Sequence, residues 1–403
     1  MSSHKLFLGA LAIVAFVAIA FFWFNKGGKQ EVAQERETIK IVTSLPMRSI
    51  TVGQGISNGI KLALKEANFQ AGAFDIELVT EDGGNEVGKW QESLEATIAK
   101  KAVADKDVMA YIGTYNSGAA KISIPITNQA GLVQVSPGNT WPGLTQPGFA
   151  PGEPGIFYPT GVRNYFRVVP TDALQGPAGA IWAKNIGVQS VYIFDDGEAY
   201  GKGIATLFKK KALELGLTVI AHTTFDNTPA GIAKELEKLK SLDTDLVYYG
   251  GTTPNGAVPL IKGMRAQKMD AKFMAPDGTM EQAFIDQAGA AAEGALLTVV
   301  GIPVDQFTGK GKEFVKKYQE QFNVEPETFS LFGYEAAKVV LDAIEKAGVK
   351  DRVKILSQVA NTRDYNGLIG KWSFDQNGDT TLTTVSGNVV KENKFVFDKS
   401  LHP

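Results

Sequence analysis

From residue 39 onward, short apolar runs alternate with longer stretches of helical spacing. Ile39-Lys40-Ile41-Val42 has strand character. Ile56, Ile60, Ala63, Leu64 and Ala67 then recur at the interval of a buried helix face. Phe74 to Val79 alternates with period two, 90–103 is helical, and Val108 to Ile112 is strand-like. A helix over 119–130 and a strand from Leu132 to Val135 follow. Strands alternating with helices predict parallel βαβ units and a doubly wound α/β sheet.

Residues 137–163 break this rhythm with six prolines and six glycines. A loop of that length is expected to be functional or disordered. The rhythm then restarts with strands at 165–169, 191–194, 217–221, 246–249 and 272–274. Helices at 174–186, 202–215, 230–241 and 256–267 lie between them. Two consecutive α/β series predict two similar lobes. Long helices at 309–322 and 331–347 and paired strands within 380–397 would complete the earlier sheets.

At 403 residues and 44% hydrophobic, the chain can bury the cores of two lobes. Its net charge of −2 gives no electrostatic reason to expect nucleic acid. The absence of cysteine excludes disulfides, thiolate metal sites, cysteine nucleophiles and a lipid-modified cysteine. With only His4, His222 and His402, a histidine zinc site is not expected. Leu6 to Phe24 is uncharged and long enough to span a bilayer, with Ala18-Ile19-Ala20 offering the competing reading of a cleaved signal. Cleavage there would leave Phe21-Phe22-Trp23-Phe24 exposed, so a retained membrane anchor over 6–24 is expected. Residues 1–5 form a short tail, and 25–37 a tether.

Parallel sheets bind ligands beyond the carboxyl ends of their strands. One such end carries Gly113-Thr114-Tyr115-Asn116-Ser117-Gly118, directly before a helix, and the next carries Ser136-Pro137-Gly138-Asn139-Thr140. Ser117 either caps its helix or helps it hold an anion, which helix N-termini favour. The second stretch is either a plain turn or a rim of hydroxyls and amides. Asp277, after the strand at 272–274, is either an Asp-Gly turn residue or the partner of a cation. An anion site in one lobe and a carboxylate in the other suit a zwitterion. Tyr200-Gly201-Lys202-Gly203 is not a nucleotide fingerprint and no GxxxxGK[ST] occurs, so no cofactor is expected. Asp375 to Asp379 fits a β-turn better than a calcium loop, and no nucleophile–base–acid set points to an enzyme.

Several stretches together resemble a known family: GQGISNGIKLAL at 53–64, SPGNTWPGLT at 136–145, Gln175-Gly176-Pro177, Tyr200-Gly201-Lys202-Gly203 and Ala292-Glu293-Gly294. LVYYGGTTPNGAVPLIKGMRAQKMDAKFMAPDG at 246–278 is the most specific of them. Over about residues 38–398 the chain resembles type I periplasmic solute-binding proteins of the branched-chain amino acid (Leu/Ile/Val) class, the receptors of ABC importers. The resemblance implies a two-lobed Venus-flytrap with three hinge crossovers, near residues 170, 300 and 370. Lobe 1 would comprise 38–170 and 300–370, and lobe 2 would comprise 171–299 and 371–403. It also implies that Ser117 and Thr140 bind an α-carboxylate. Thr140 and the Gly138–Asn139 backbone would hold an ammonium together with Asp277, where the family usually has Glu. Asp172 and Tyr200 match cleft positions. Val52, Thr252 and Phe329 stand where the family has aromatics, and Pro46-Met47-Arg48-Ser49 replaces a Ser-Gly-Pro type loop. Arg48 is either a pocket cation or a solvated loop residue.

The expected function is an extracytoplasmic, membrane-tethered, monomeric binding protein delivering an amino acid to ABC permease subunits. The alternative is a sensing ectodomain working with a separate membrane partner.

Overall fold

The computed structural model describes residues 36–402. The segment 6–24 and most of the tether 25–37 therefore lie outside the described residues. The chain from Thr38 onward forms one compact unit.

The first series runs β1 (Glu37–Leu45), α1 (Val52–Glu66), β2 (Gln70–Ala71), β3 (Phe74–Asp82), α2 (Glu92–Ala104), β4 (Val108–Gly113), α3 (Ser117–Gln129), β5 (Val133–Ser136) and β6 (Tyr165–Arg167). These strands form one sheet in the order β2-β3-β1-β4-β5-β6. Pairing is parallel from β1 through β4 and β5 to β6, while β2 and β3 form an antiparallel hairpin. β4 and β5 are buried along their whole length, which explains their continuous apolar runs.

The second series runs α4 (Asp172–Asn185), β7 (Ser190–Asp195), α5 (Ala199–Glu214), β8 (Thr218–Thr224), α6 (Pro229–Lys240), β9 (Leu246–Gly250), α7 (Ala257–Ala266), β10 (Lys272–Ala275), α8 (Gln282–Ala288) and β11 (Leu296–Val300). The chain continues through α9 (Gly309–Phe322), α10 (Thr328–Ala347), α11 (Arg352–Ala360), β12 (Tyr365–Gly367), β13 (Gly370–Trp372), β14 (Val385–Lys391) and β15 (Lys394–Leu401). The second sheet has the order β15-β14-β11-β10-β9-β7-β8. It is parallel from β8 to β11, then closes with the antiparallel pair β14 and β15.

Side chains from α1, α10, α11 and the first sheet share one core, while the second sheet is sandwiched between two others. Thus α9 to α11 return to the first lobe after β11, and β14 and β15 complete the second. The third crossover falls later than the expected 370. Trp372 and Phe374 are buried in the first core, with Trp372 Nε1 donating to Glu335 Oε2 of α10 at 3.0 Å. The second sheet is not rejoined until Val385. The physical reason is the β12–β13 hairpin, which keeps residues 365–374 attached to lobe 1.

The long loop after β5 is ordered, with helical turns at Pro142–Leu144 and Gly155–Phe157 around a small core of Trp141, Leu144, Phe157, Tyr158 and Tyr165. Its anchor is Arg167, a fully buried side chain at the end of β6. Arg167 Nε donates to Asp379 Oδ1 at 2.6 Å, and its Nη1 donates to the carbonyls of Asn139 and Trp141 at 3.1 and 2.8 Å. Nη2 reaches Thr145 Oγ1. The other Asp379 oxygen accepts from Thr145 Oγ1 at 3.0 Å and Gln146 Nε2 at 2.6 Å. The Asp375–Asp379 stretch is thus a turn, as its sequence suggests. It also carries a buried carboxylate that ties the third crossover to the first.

Removing one partner of a buried, hydrogen-bonded ion pair leaves the other charge uncompensated, at a cost of about 3–5 kcal/mol. Asp379→Ala is expected to lower unfolding stability by about that amount in urea titrations. A loss within about 0.5 kcal/mol would show that the pair is not the anchor described.

Candidate functional site

The carboxyl ends of β4 and β5 meet the amino end of α3. Ser136 Oγ accepts from the amides of Gly138 and Asn139 at 3.1 and 2.9 Å and donates to Thr114 O at 3.0 Å. Those two amides are therefore committed to the turn. The Asn139 side chain is committed as well. Its Nδ2 donates to Thr114 Oγ1 and Tyr115 O at 3.1 and 2.9 Å, and its Oδ1 accepts from Tyr165 at 3.0 Å. Gly138 packs against Tyr115, where a Cβ would come within 2.8 Å of the ring.

What this stretch presents to the cleft is therefore narrower than its composition suggests. Only Gly138 of this stretch lines the cavity, with Ser136 and Asn139 acting as internal struts and Thr140 buried beside Asp172. Thr140 O accepts from Asp172 N at 2.9 Å, which links the turn to the start of α4. Ser117 opens α3, and its Oγ accepts from Trp141 N at 3.3 Å. The helix ladder begins with Ala120 N bonding Asn116 O, so the amides of Ser117, Gly118 and Ala119 precede it.

Asp277 lies on a helical turn, Asp277–Thr279, after β10. The turn reading of it holds, and the residue also lines the cavity between the strand ends of the two sheets. Its Oδ1 accepts from Tyr200 OH at 2.5 Å, and Tyr200 OH in turn accepts from Gly278 N at 3.0 Å. Its Oδ2 is buried without a hydrogen-bond partner. Asp172 is fully buried, and neither of its carboxylate oxygens has a partner at ordinary hydrogen-bond geometry, although the Thr140 hydroxyl acts on it. Tyr115, Asn116, Ser117, Gly138, Tyr200, Thr252 and Asp277 line one small cavity. Of the expected residues, Phe329 stands behind this lining, with its ring edge-on to Tyr115 at 5.5 Å. Thr252 keeps a buried, unpartnered hydroxyl. Tyr115 and Asn116 were not singled out from the sequence, although both fall in the strand-to-helix stretch that contains Ser117.

The electrostatics of the cavity are one-sided. Burial pushes Asp277 up to about 7, against the opposing hydrogen bonds of Tyr200 and Gly278. Burial and then the nearby Asp277 charge hold Asp172 well above the usual carboxylate range, opposed by Thr140 and Arg167. Arg167 is already occupied by Asp379 and the loop carbonyls. Arg48 is elsewhere engaged, half-exposed with Asp82 at 3.0 Å and with Glu86, which is the solvated loop reading.

Further contacts join the lobes. Trp90 Nε1 of lobe 1 donates to Glu198 Oε2 of lobe 2 at 3.2 Å. The Trp141 ring lies on Gly203 of α5, where any Cβ would overlap it. The Tyr200-Gly201-Lys202-Gly203 stretch thereby gains a physical meaning, with Tyr200 positioning Asp277 and Gly203 admitting a tryptophan from the facing lobe.

Comparison with known proteins agrees with the two-lobed fold. The family model for periplasmic binding proteins matches residues 38–388. The Leu/Ile/Val-binding protein homolog 1 of Brucella suis is 28% identical over 331 residues, covering 82% of this chain and 84% of that protein. A leucine-, isoleucine-, valine-, threonine- and alanine-binding protein of Pseudomonas aeruginosa is 26% identical over 347 residues, covering 85% and 87% of the two chains. The crystal structure of a leucine-binding protein from Thermotoga maritima superposes with a TM-score of 0.79 at 30% identity, covering 91% of this chain and 99% of that one. The chain belongs to the periplasmic binding protein family, as a type I member of the branched-chain amino acid binding class with the two-lobed Venus-flytrap fold.

Proposed function

We propose that the protein is the extracytoplasmic substrate-binding component of an ABC importer and that it closes its lobes on an amino acid. The observation that carries this reading is Asp277, a buried carboxylate with an unpartnered oxygen in the cavity that it shares with Ser117 at the amino end of α3, with buried Asp172 close enough to feel its charge. A buried anion without a counter-charge is costly. An ammonium beside Asp277 and Asp172 removes that cost. The ligand carboxylate takes the Ser117 hydroxyl, the Thr140 hydroxyl and the first amides of α3, where the helix dipole favours an anion.

Closure follows from where these groups sit. Ser117, Gly138 and Thr140 belong to the first sheet's strand ends, and Tyr200, Thr252 and Asp277 to the second's. A ligand bonded to both sets has more contacts when the lobes meet, and this difference shifts the population towards the closed form. Asp172 lies beside the first crossover, so the same residue feels both ligand and hinge. The relatives named for leucine, isoleucine and valine support the amino-acid class. The membrane anchor over 6–24, the permease partner and the monomeric state belong to the same proposal. Thr252 and the recessed Phe329 are assigned to the side-chain end of the pocket.

Two measurements check this reading. Calorimetry against the standard amino acids at neutral pH is expected to find micromolar binding. Asp277→Asn should weaken it about 10- to 150-fold, the worth of a charge-assisted hydrogen bond. Absence of binding across the set, or an unchanged affinity in the variant, would reject the zwitterion site. Independently, Tyr200→Phe removes a donor that favours the ionised form of Asp277. The Asp277 titration midpoint, followed by carbon NMR of labelled aspartate, should therefore rise above about 7. A downward shift would contradict the assigned hydrogen bond.

A further inference from the structure

Outside the cavity lining but close enough to act on Tyr115, a second acidic pair joins the lobes. Helix α1 of lobe 1 starts at Thr51 with no side-chain cap of its own. The carboxylate of Glu281, at the start of α8 in lobe 2, fills this role, accepting from Thr51 N at 3.1 Å. Glu327 of lobe 1 reciprocates. It closes a capping box with Ser330 on its own helix α10, and its Oε1 also accepts from Gln282 N of lobe 2 at 3.1 Å. The same oxygen accepts from Thr51 Oγ1 at 2.5 Å. Each lobe thus offers a carboxyl to backbone amides of the other, and separating the lobes breaks both contacts.

We propose that Glu281 and Glu327 form a proton-linked latch between the lobes, which sets ligand affinity through the closed state without either carboxyl contacting the ligand. The latch rests on the reading of the cleft as a site that closes on its ligand. It makes both glutamates positioning residues.

The groups acting on the pair are almost all acidic or neutral. Glu281 faces Glu327, the Thr253 hydroxyl and the amides of Thr51 and Val52. Glu327 faces Asp286, the Thr51 hydroxyl and the Gln282 amide. Tyr115 lies within the field of both, and Tyr318 within that of Glu327. Among the described residues, no lysine, arginine or histidine is one of the main groups acting on either carboxyl.

Burial, then the Glu327 charge, pushes Glu281 up to about 7, and burial also raises Glu327. With the lobes apart, both return to water and titrate near ~4.3. The closed form therefore binds the extra proton. Closure is unpenalised below the open-state value, is opposed increasingly as pH climbs through the window between the two values, and suffers a constant penalty above about 7. Glu281→Gln keeps a carbonyl acceptor for Thr51 N but cannot ionise, so it should remove the Glu281 share of the pH dependence.

The chain has no cysteine. Val87→Cys and Leu213→Cys therefore introduce one exposed label site per lobe into the full-length protein. Pulsed electron resonance on the spin-labelled pair reads the closed fraction with no ligand added, and calorimetry with leucine as probe reads affinity. From about pH 5 to about pH 8 the closed fraction and leucine affinity of the wild type should fall roughly fivefold or more further than those of Glu281→Gln. Glu327→Gln should change the profile in the same direction. Asp172 and Asp277 titrate in wild type and variants alike, so their contribution cancels in the comparison. A variant profile parallel to wild type, or weaker closure in Glu281→Gln at both pH values, overturns the latch. The latter result would mark Glu281 as a charged helix cap. A pH-dependent distance abolished by Glu281→Gln, with no leucine binding, supports the latch and counts against leucine alone. Leucine binding with a flat distance profile rejects the latch and leaves the ligand site standing.

Discussion

The Arg167–Asp379 pair is the constraint on which the ligand-facing geometry depends. Arg167 is wholly buried, yet it satisfies a carboxylate, two loop carbonyls and a threonine hydroxyl at once. Those acceptors come from the Asn139–Thr145 loop and the third crossover, and the arginine itself ends the strand leading into the first crossover. The planar fork of a guanidinium suits this task, because several acceptors in different directions are held by one rigid group. A hinge must bend without letting the strand ends shift, and here the strand-end loop is fixed to the hinge segments themselves. The position of Thr140 follows from that anchor, as does the hydrogen bond from Asp172 N to Thr140 O that starts α4 beside it.

Against this fixed frame, the cavity is electrostatically incomplete. Asp172 and Asp277 are buried close enough that Asp277 raises Asp172, and the nearest arginine is spoken for. Isolated buried carboxylates resolve such conflict by taking a proton or a cation. A site held near its titration point can do either. Taking up a proton costs the fold less than two fixed charges would. Tyr200 sharpens the asymmetry by donating to one oxygen of Asp277, which leaves the other for a ligand.

Much of this was legible in the sequence, and the exceptions have physical causes. Alternating runs gave the parallel strands because β4, β5 and β9 are buried on both faces. Asp277 and Ser117 were readable because ligand groups in such sheets follow the strand ends. The pattern did not yield α8, α11 or β11, although the Leu296–Val300 run after Gly294 has strand character. The third crossover was displaced because a two-strand hairpin has too weak a periodic signal to show which lobe holds it. Arg167 and Asp379 are 212 positions apart, and no local pattern marks one for the other. Asn139 misled for a related reason. Its amide looks available in sequence, but every one of its polar groups is used to join two strand ends.

Affinity in such a molecule belongs to more than the pocket. The apparent dissociation constant is the intrinsic one divided by the fraction of molecules already in the competent form. Trp90 on Glu198, Trp141 on Gly203 and the amides capped by Glu281 and Glu327 all contribute to that fraction, and none of them lines the cavity. Their contacts exist with or without a particular ligand side chain. Selectivity is therefore left to the few residues that touch the ligand, while tightness can be adjusted across the rest of the lobe interface. Of Val52, Thr252 and Phe329, Thr252 is among the residues that line the cavity, while Val52 and Phe329 are buried outside its lining.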